Sequence, residues 1–357
     1  MKSSARFWAI FSVLVLVASV WAYYVSGEDS RAFESFKVKA LRGDAEAQWK
    51  MAYCYNLGRG VKEDSAQATF WYQKSAELGN AKAQHLIGAY YARGTRLAKD
   101  EVQAAFWYRK AADQGHSLAQ VSLGYCYLGG EGVLKDEVQA VAWFTKAAIL
   151  GDGNGQVGLA QCYQFGQGVK ADPVQAISWY RKAAEQGDEL AQQELAQRYS
   201  SGEGVRQDFE QAVIWYRKAA EGNFVSFSVQ AELGDCYYLG KGVPKDYVQA
   251  VYWWRKSSIC GWDKAQISLG NAYLTGEGVP KDVIEAYAYF NLAGATNEGA
   301  RASLVKLEKE LSKEQVSTAQ KRTEKLRKED AAKCDAQRTA SARAAVEKDF
   351  KAEVLGK

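Results

Sequence analysis

An aspartate returns seven times along this chain, as Asp64, Asp100, Asp136, Asp172, Asp208, Asp246 and Asp282, at intervals of 36 residues with a single interval of 38. A fixed period of that size is the signature of a stacked repeat, in which each unit buries its apolar face only against its neighbours. Each copy carries the start and stop of a helix, here termed helix B. The aspartate is placed as an N-cap, where a carboxylate accepts from the free N–H groups of the first turn and suits the positive helix end. Three residues on, Gln67, Gln103, Gln139, Gln175, Gln211, Gln249 and Glu285 are spaced to reach back to the N–H of the cap, as in a capping box. An alanine and an aromatic residue follow at i and i+3, such as Ala140 and Trp143, and share one face. A last-turn lysine such as Lys146 suits the negative end of the helix, and a glycine such as Gly151 supplies the stop.

The segment before each aspartate reads as a second helix, helix A. It keeps a small residue and a glutamine together (Ala119–Gln120), then a large–small pair (Leu123–Gly124), then a tyrosine (Tyr127). The large side chains fill a core and the small ones let helices approach closely. Between A and B lies a turn of the form Gly130-Glu131-Gly132-Val133, whose glycines suit positive φ. The second copy carries Arg96 at the second glycine's place, which predicts a strained or differently built turn. The pattern predicts an all-α chain without a sheet: about seven antiparallel helix pairs, closed by helical caps. Residues 30–43 read as a lone helix B capped by Ser30 and closed by Gly43. Beyond Gly294, Leu304, Leu307 and Leu311 share one side of a helix, and Ser312 to Gln315 spell a capping box that opens another. Residues 301–357 interleave 15 Lys/Arg with 10 Asp/Glu, which reads as a solvated helix losing order toward its end. The long interval falls between copies five and six, where Phe224 and Phe227 read as buried by local repacking.

Residues 1–29 lie outside the pattern. Lys2 and Arg6 precede the apolar run 7–25, which reads as a cleaved export signal or as a membrane anchor. Either way the positive flank stays in the cytoplasm and the repeats are expected outside it, periplasmic or secreted, tied to the inner membrane if 7–25 remains uncleaved. The chain is thus divided into 1–29, a capping helix at 30–43, seven repeats over 44–294, and C-terminal caps with a charged tail over 295–357. Cys54, Cys126, Cys162 and Cys236 occupy one repeat position, too far apart between neighbours for a disulfide and better read as small buried thiols. Cys260 and Cys334 have no equivalents and read as isolated; free thiols weigh toward a cytosolic setting and against export.

Catalytic chemistry finds little support. His85 and His116 lack the spacing of a zinc-binding helix; His85 reads as a packed surface residue and His116 as a helix A cap. Residues 153–158 match G-x-G-x-x-G but follow a helix rather than a strand, so no phosphate site is expected. The net charge of +4 does not point to nucleic acid. No enzyme, metal or cofactor is expected.

The residues Ala119, Leu123, Gly124, Tyr127, Gly130, Gly132, Val133, Asp136, Ala140, Trp143, Phe144, Lys146, Ala147, Ala148 and Gly151 resemble the Sel-1-like repeat, a relative of the tetratricopeptide repeat, and the resemblance extends over about 43–294. It implies a right-handed superhelix with helix A on the concave side, and a bacterial exported adaptor or scaffold bound to a protein or peptide. At the variable i, i+4, i+7 positions of helix A the expected binding residues are Tyr53, Leu86, Leu118 and Tyr125, apolar anchors, and Glu194, Glu232 and Asp235, which favour basic partner residues. Carbohydrate or peptidoglycan binding is the alternative, with an envelope hydrolase behind it.

Overall fold

The computed structural model describes residues 27, 29–222 and 226–349, and these form helices and no strand. The apolar run 7–25 and Phe224 lie outside them. Among the described residues no helix is long and apolar enough to cross a membrane. The chain divides into two compact units, Met1–Gly158 and Leu159–Lys357.

In the first unit a helix over 29–40 (α1) leads into α2 (Ala45–Leu57), α3 (Ser65–Glu77), α4 (Ala81–Arg93), α5 (Glu101–Asp113), α6 (Ser117–Gly129), α7 (Glu137–Ile149) and the start of α8 (Gly153–Phe165). Even-numbered helices are A and odd-numbered ones B, and α4 and α6 each pack on the B that follows and on the B before. Ser30 does not cap α1, because the helix is already under way at residue 29; Gly43 closes it at φ 89° as expected.

The second unit continues α8 and adds α9 (Pro173–Glu185), α10 (Glu189–Ser201), α11 (Phe209–Glu221), α12 (Phe227–Leu239), α13 (Tyr247–Ser258), α14 (Asp263–Thr275) and α15 (Val283–Ala293). The alternation of A and B holds up to α15, and α10, α12 and α14 each pack on the B that follows and on the B before. Two helices close it, α16 (Glu298–Glu310) and α17 (Lys313–Asp349). The α17 capping box forms in both directions, Ser312 N–H donating to Gln315 at 2.9 Å and Gln315 N–H to Ser312 Oγ at 3.2 Å. The expectation of a solvated tail is corrected here. Ala319, Thr323, Leu326 and Cys334 are buried, α17 packs along α15, and Arg322 pairs with Glu285 at 2.5 Å. The interleaved charges hid this apolar stripe.

The aspartates cap helix B as read: Asp136 accepts from Val138 and Gln139 N–H at 3.0 Å. The reciprocal half of the capping box does not form. Each cap donates its own N–H to the tyrosine carbonyl that ends the preceding helix A, as Asp136 does to Tyr127 at 2.9 Å, Asp64 to Tyr55 and Asp246 to Tyr237. A main-chain acceptor thus takes the group the glutamine was expected to satisfy, and Glu285 is engaged by Arg322 instead. The helix A glutamines have a task the pattern did not disclose. Gln48, Gln84, Gln120, Gln192 and Gln266 are buried, and each donates Nε2 to a carbonyl eight residues back, at the end of the preceding B helix, at 3.0–3.4 Å. They satisfy acceptors that a helix C-terminus leaves open.

Close approach explains the glycines. A Cβ on Gly124 would lie 2.7 Å from the Phe144 ring, and one on Gly132, at φ 69°, would lie 1.9 Å from the main-chain oxygen of Glu101. The motif-like Gly155 and Gly158 sit inside α8, where Ala147 and Phe144 leave no room for a side chain. At Arg96 the turn is built differently rather than strained: among the described residues no non-glycine has positive φ, and the guanidinium reaches Asn56 at 2.5 Å and the Ser65 carbonyl at 3.4 Å. The junction after α11 also departs from the pattern, since Gly222 is extended (φ −67°, ψ 176°) and Phe227 is half-buried, not buried.

Candidate functional site

The side chains that vary between copies project from the A helices, so the candidate surface is built from the first unit and then the second. In α2, the half-buried Tyr53 packs its ring 5.5 Å from Trp49. Lys82 of α4 lies over Trp49 at 4.9 Å. Leu86 is half-buried on α4, while Leu118 and Tyr125 on α6 are 44% and 42% exposed. Tyr125 stands edge-on over the fully buried Phe144 at 4.9 Å, so its base is fixed and its outer face is open. Tyr53 and Tyr125 have different stacking neighbours.

Behind Tyr125 lies a cavity of ≈ 300 Å³ lined in part by Tyr108, Ser122, Cys126, Lys99, Glu101 and Glu131. Lys99 and Glu101 pair at 2.8 Å. Burial, then Glu131 and Glu101, pushes the Cys126 thiol up to about 11, and burial does the same to Cys236; Cys54 goes up to about 12, again chiefly by burial. Such thiols are protonated near neutrality and are poor nucleophiles. All four cysteines of the repeat position are buried and outside any disulfide, as expected.

The two histidines meet, which their spacing of 31 residues did not reveal. His116 caps α6 through Nδ1, accepting from Ala119 N–H at 3.3 Å, and its ring stacks on His85 at 5.1 Å. His85 Nε2 lies 3.2 Å from Ser122 Oγ, whose proton goes to the Leu118 carbonyl at 2.9 Å. With that proton so placed, His85 is the donor of the pair, through Nε2. Burial, then His116 and Arg93, lowers its pKa to about 4. Among the described residues no group of three or more His, Cys, Asp or Glu is arranged to hold a metal.

In the second unit the expected acidic residues are already paired. Glu194 holds the buried Arg198 at 2.9 Å. Glu232 and Asp235 converge on Lys264, at 2.8 and 3.0 Å. Burial opposes the charge on Lys264, but the hydrogen bonds it donates to these two carboxylates outweigh it and its pKa is raised. Asp235 also accepts from Trp254 Nε1 at 2.9 Å. A cavity of ≈ 260 Å³ opens beside it, bounded by Asp235, Tyr238 and Leu239 of α12, Trp254 of α13, Ser268, Asn271, Ala272 and Thr275 of α14, and Glu277 of the following turn. Tyr238 donates to Glu277 at 3.1 Å, and this bond, then burial, raises the pKa of the phenol. Sequence reasoning missed both Trp254 and Glu277. The one available signal was a glutamate between the two turn glycines, at 131, 203 and 277.

The isolated reading of Cys260 and Cys334 is overturned, for the two form a disulfide with Cα atoms 5.5 Å apart. The tail helix carries Cys334 back over 74 residues to the end of α13, a return that no local pattern encodes.

No curated protein matches the chain. A Sel1 repeat protein from Oxalobacter formigenes is 32% identical over 77% of this chain and 79% of its own, with a TM-score of 0.61. A protective antigen, c5321, present in uropathogenic Escherichia coli strains and displaying an SLR fold, is 30% identical over 87% of this chain and 82% of its own, with a TM-score of 0.41. The Sel1 repeat model matches seven times, at 45–80, 81–116, 117–152, 153–188, 190–224, 228–261 and 263–295. Proteins of this repeat generally act as protein–protein interaction scaffolds and are typically non-catalytic. With seven matched repeats, each built from the helix pair described above, this chain belongs to the Sel1 repeat family.

Proposed function

We propose that this chain is a scaffold of the cell envelope that binds a partner protein or peptide on the face of its A helices. The observation that carries the reading is Tyr125. The large core positions that recur in helix A, such as Leu123, are buried by packing, whereas this ring, shared at its position only with Tyr53, is rooted on Phe144 and 42% exposed, as an aromatic anchor for a partner would be. Leu118, about two helical turns away on the same side of α6, adds exposed apolar surface. The Cys260–Cys334 bridge supports an oxidising compartment, since structural disulfides persist outside the cytoplasm, and with it the export reading of 7–25.

Two measurements test this. Tyr53→Ala with Tyr125→Ala should weaken capture of the crosslinked native partner while leaving the unfolding midpoint nearly unchanged; lost stability with intact capture removes the binding face. A reporter active only after export, fused behind Gly294, should be active, and silence returns the chain to the cytoplasm.

A further inference from the structure

We infer that the cavity among α12, α13 and α14 is a seat for a basic side chain, an arginine above all, presented by the partner segment; the inference rests on the protein-binding reading and adds what that partner must carry. Three observations support it. The first is size. At ≈ 260 Å³ the space falls below the range of about 300–1,000 Å³ typical of small-molecule sites, and it suits one long side chain better than a free ligand.

The second is chemistry. Tyr238 and the edge of Trp254, itself only 3% exposed, have ring centroids 5.4 Å apart and supply aromatic surface, and two carboxylates, Asp235 and Glu277, join the lining. The cations beside it, Lys264 on Asp235 and Lys245 at 5.9 Å over the Tyr238 ring, are not part of it. A guanidinium is weakly hydrated, stacks on aromatic faces and binds carboxylates through a planar fork of donors, so this lining matches it on both counts. Asp235 is held by Trp254 and Lys264 and fixes the indole. Glu277 is oriented through Oε2 by Tyr238 and by Thr275, both at 3.1 Å, which leaves its other oxygen to meet a charged donor. Asn271 and Thr275 are exposed at the mouth, with an amide and a hydroxyl for the peptide main chain of the same segment.

The third is recurrence. The cavity behind Tyr125 in the first unit is lined at matching repeat positions: Tyr108 for Trp254, Ser122 for Ser268, Tyr125 for Asn271, Cys126 for Ala272 and Glu131 for Glu277. There too carboxylates outnumber cations, with Glu101 and Glu131 against Lys99. A space that reappears at one register, each time with the turn glutamate at its edge, belongs to the design of the repeat.

The test uses the intact chain and a probe that does not depend on finding the partner. The indole N–H resonance of Trp254, assigned with Trp254→Phe, is followed while an acetylated, amidated Gly-Arg-Gly peptide is added, in parallel with the same peptide carrying citrulline, which keeps the shape and removes the charge. The arginine peptide should shift the resonance saturably and the citrulline peptide should not. Glu277→Gln, in which Tyr238 and Thr275 still find an acceptor, should weaken binding by about tenfold, the worth of one charge-assisted hydrogen bond. Equal response to citrulline, indifference to Glu277→Gln, or response to a chitooligosaccharide in place of arginine would each overturn the cation seat, the last in favour of a sugar site. Silence with arginine overturns it as well, yet leaves Tyr125-dependent capture of the native partner standing, so the failure of one reading is separable from the failure of the other.

Discussion

The N–H of Asp136 donates to the carbonyl of Tyr127 at 2.9 Å while the Asp136 carboxylate accepts from the first turn of α7, so one residue both ends the A-to-B turn and begins helix B. The two bonds differ in what a mutation can remove. Asp136→Ala deletes the carboxylate and keeps the main-chain tie, and should cost about 1 kcal/mol, the usual worth of an N-cap. Asp136→Asn should recover most of it. Equal denaturation midpoints for the wild type and the alanine variant would show that the cap carries no weight.

Gly132 and Gly151 both have positive φ, 69° and 87°, but only the first is crowded. A Cβ at Gly132 meets the Glu101 oxygen at 1.9 Å, whereas at Gly151 nothing lies within 4 Å. Gly151→Ala should cost about 1–2 kcal/mol, the left-handed penalty alone. Gly132→Ala must also displace main chain and should exceed about 3 kcal/mol. Chemical denaturation of the two variants side by side checks the order; equal losses refute the close approach.

Acid should weaken the first unit. His85 has its pKa lowered from 6.5 to about 4, by burial first and then by His116 and Arg93, with Tyr108 and Ser122 also facing the ring. The unfolded chain therefore binds the proton more readily, and the stability this residue contributes is complete above about pH 6.5 and is lost as pH falls toward 4. The loss should be on the order of 3 kcal/mol. Urea midpoints at pH 7, 5 and 4 for the wild type and His85→Gln measure it. A variant that follows the wild-type pH profile would assign the effect elsewhere.

Mass spectrometry of the exported chain, alkylated while unfolded and unreduced, should find four labelled cysteines, rising to six after reduction. Peptides containing Cys260 and Cys334 should be the pair that appears only after reduction. Reducing the bridge should cost about 2–4 kcal/mol by freeing the closed loop in the unfolded chain. Six labelled cysteines before reduction would show that the bridge does not form.

The helices, their caps and most glycines could be read from the sequence because each is set by neighbours within a few residues. The Asp136 carboxylate reaches its own first turn, and Gly151 needs only its own φ. Misreadings arose where a distant group competes. Gln139 lost its expected donor to the Tyr127 carbonyl, and Glu232 and Asp235, free carboxylates on paper, share Lys264 from the next A helix. The cavity over Trp254 needs three helices in register before it exists. The bridge to Cys334 and the stacking of His85 on His116 require a chain return and a helix stack, and neither leaves a trace in the spacing of the residues concerned.

The second turn glycine has a wider meaning. Where Gly132 meets Glu101, and likewise where Gly242 meets Phe209 and Gly278 meets Tyr247, backbone touches backbone, and the spacing between successive turns is set by atoms that every residue type shares. A whole unit excised between equivalent aspartates would rejoin the same two main-chain surfaces, whereas a cut of any other length would not. The array is thus quantised: it can lengthen or shorten by duplication in whole copies, each free to carry its own A-helix side chains, without any older copy having to change.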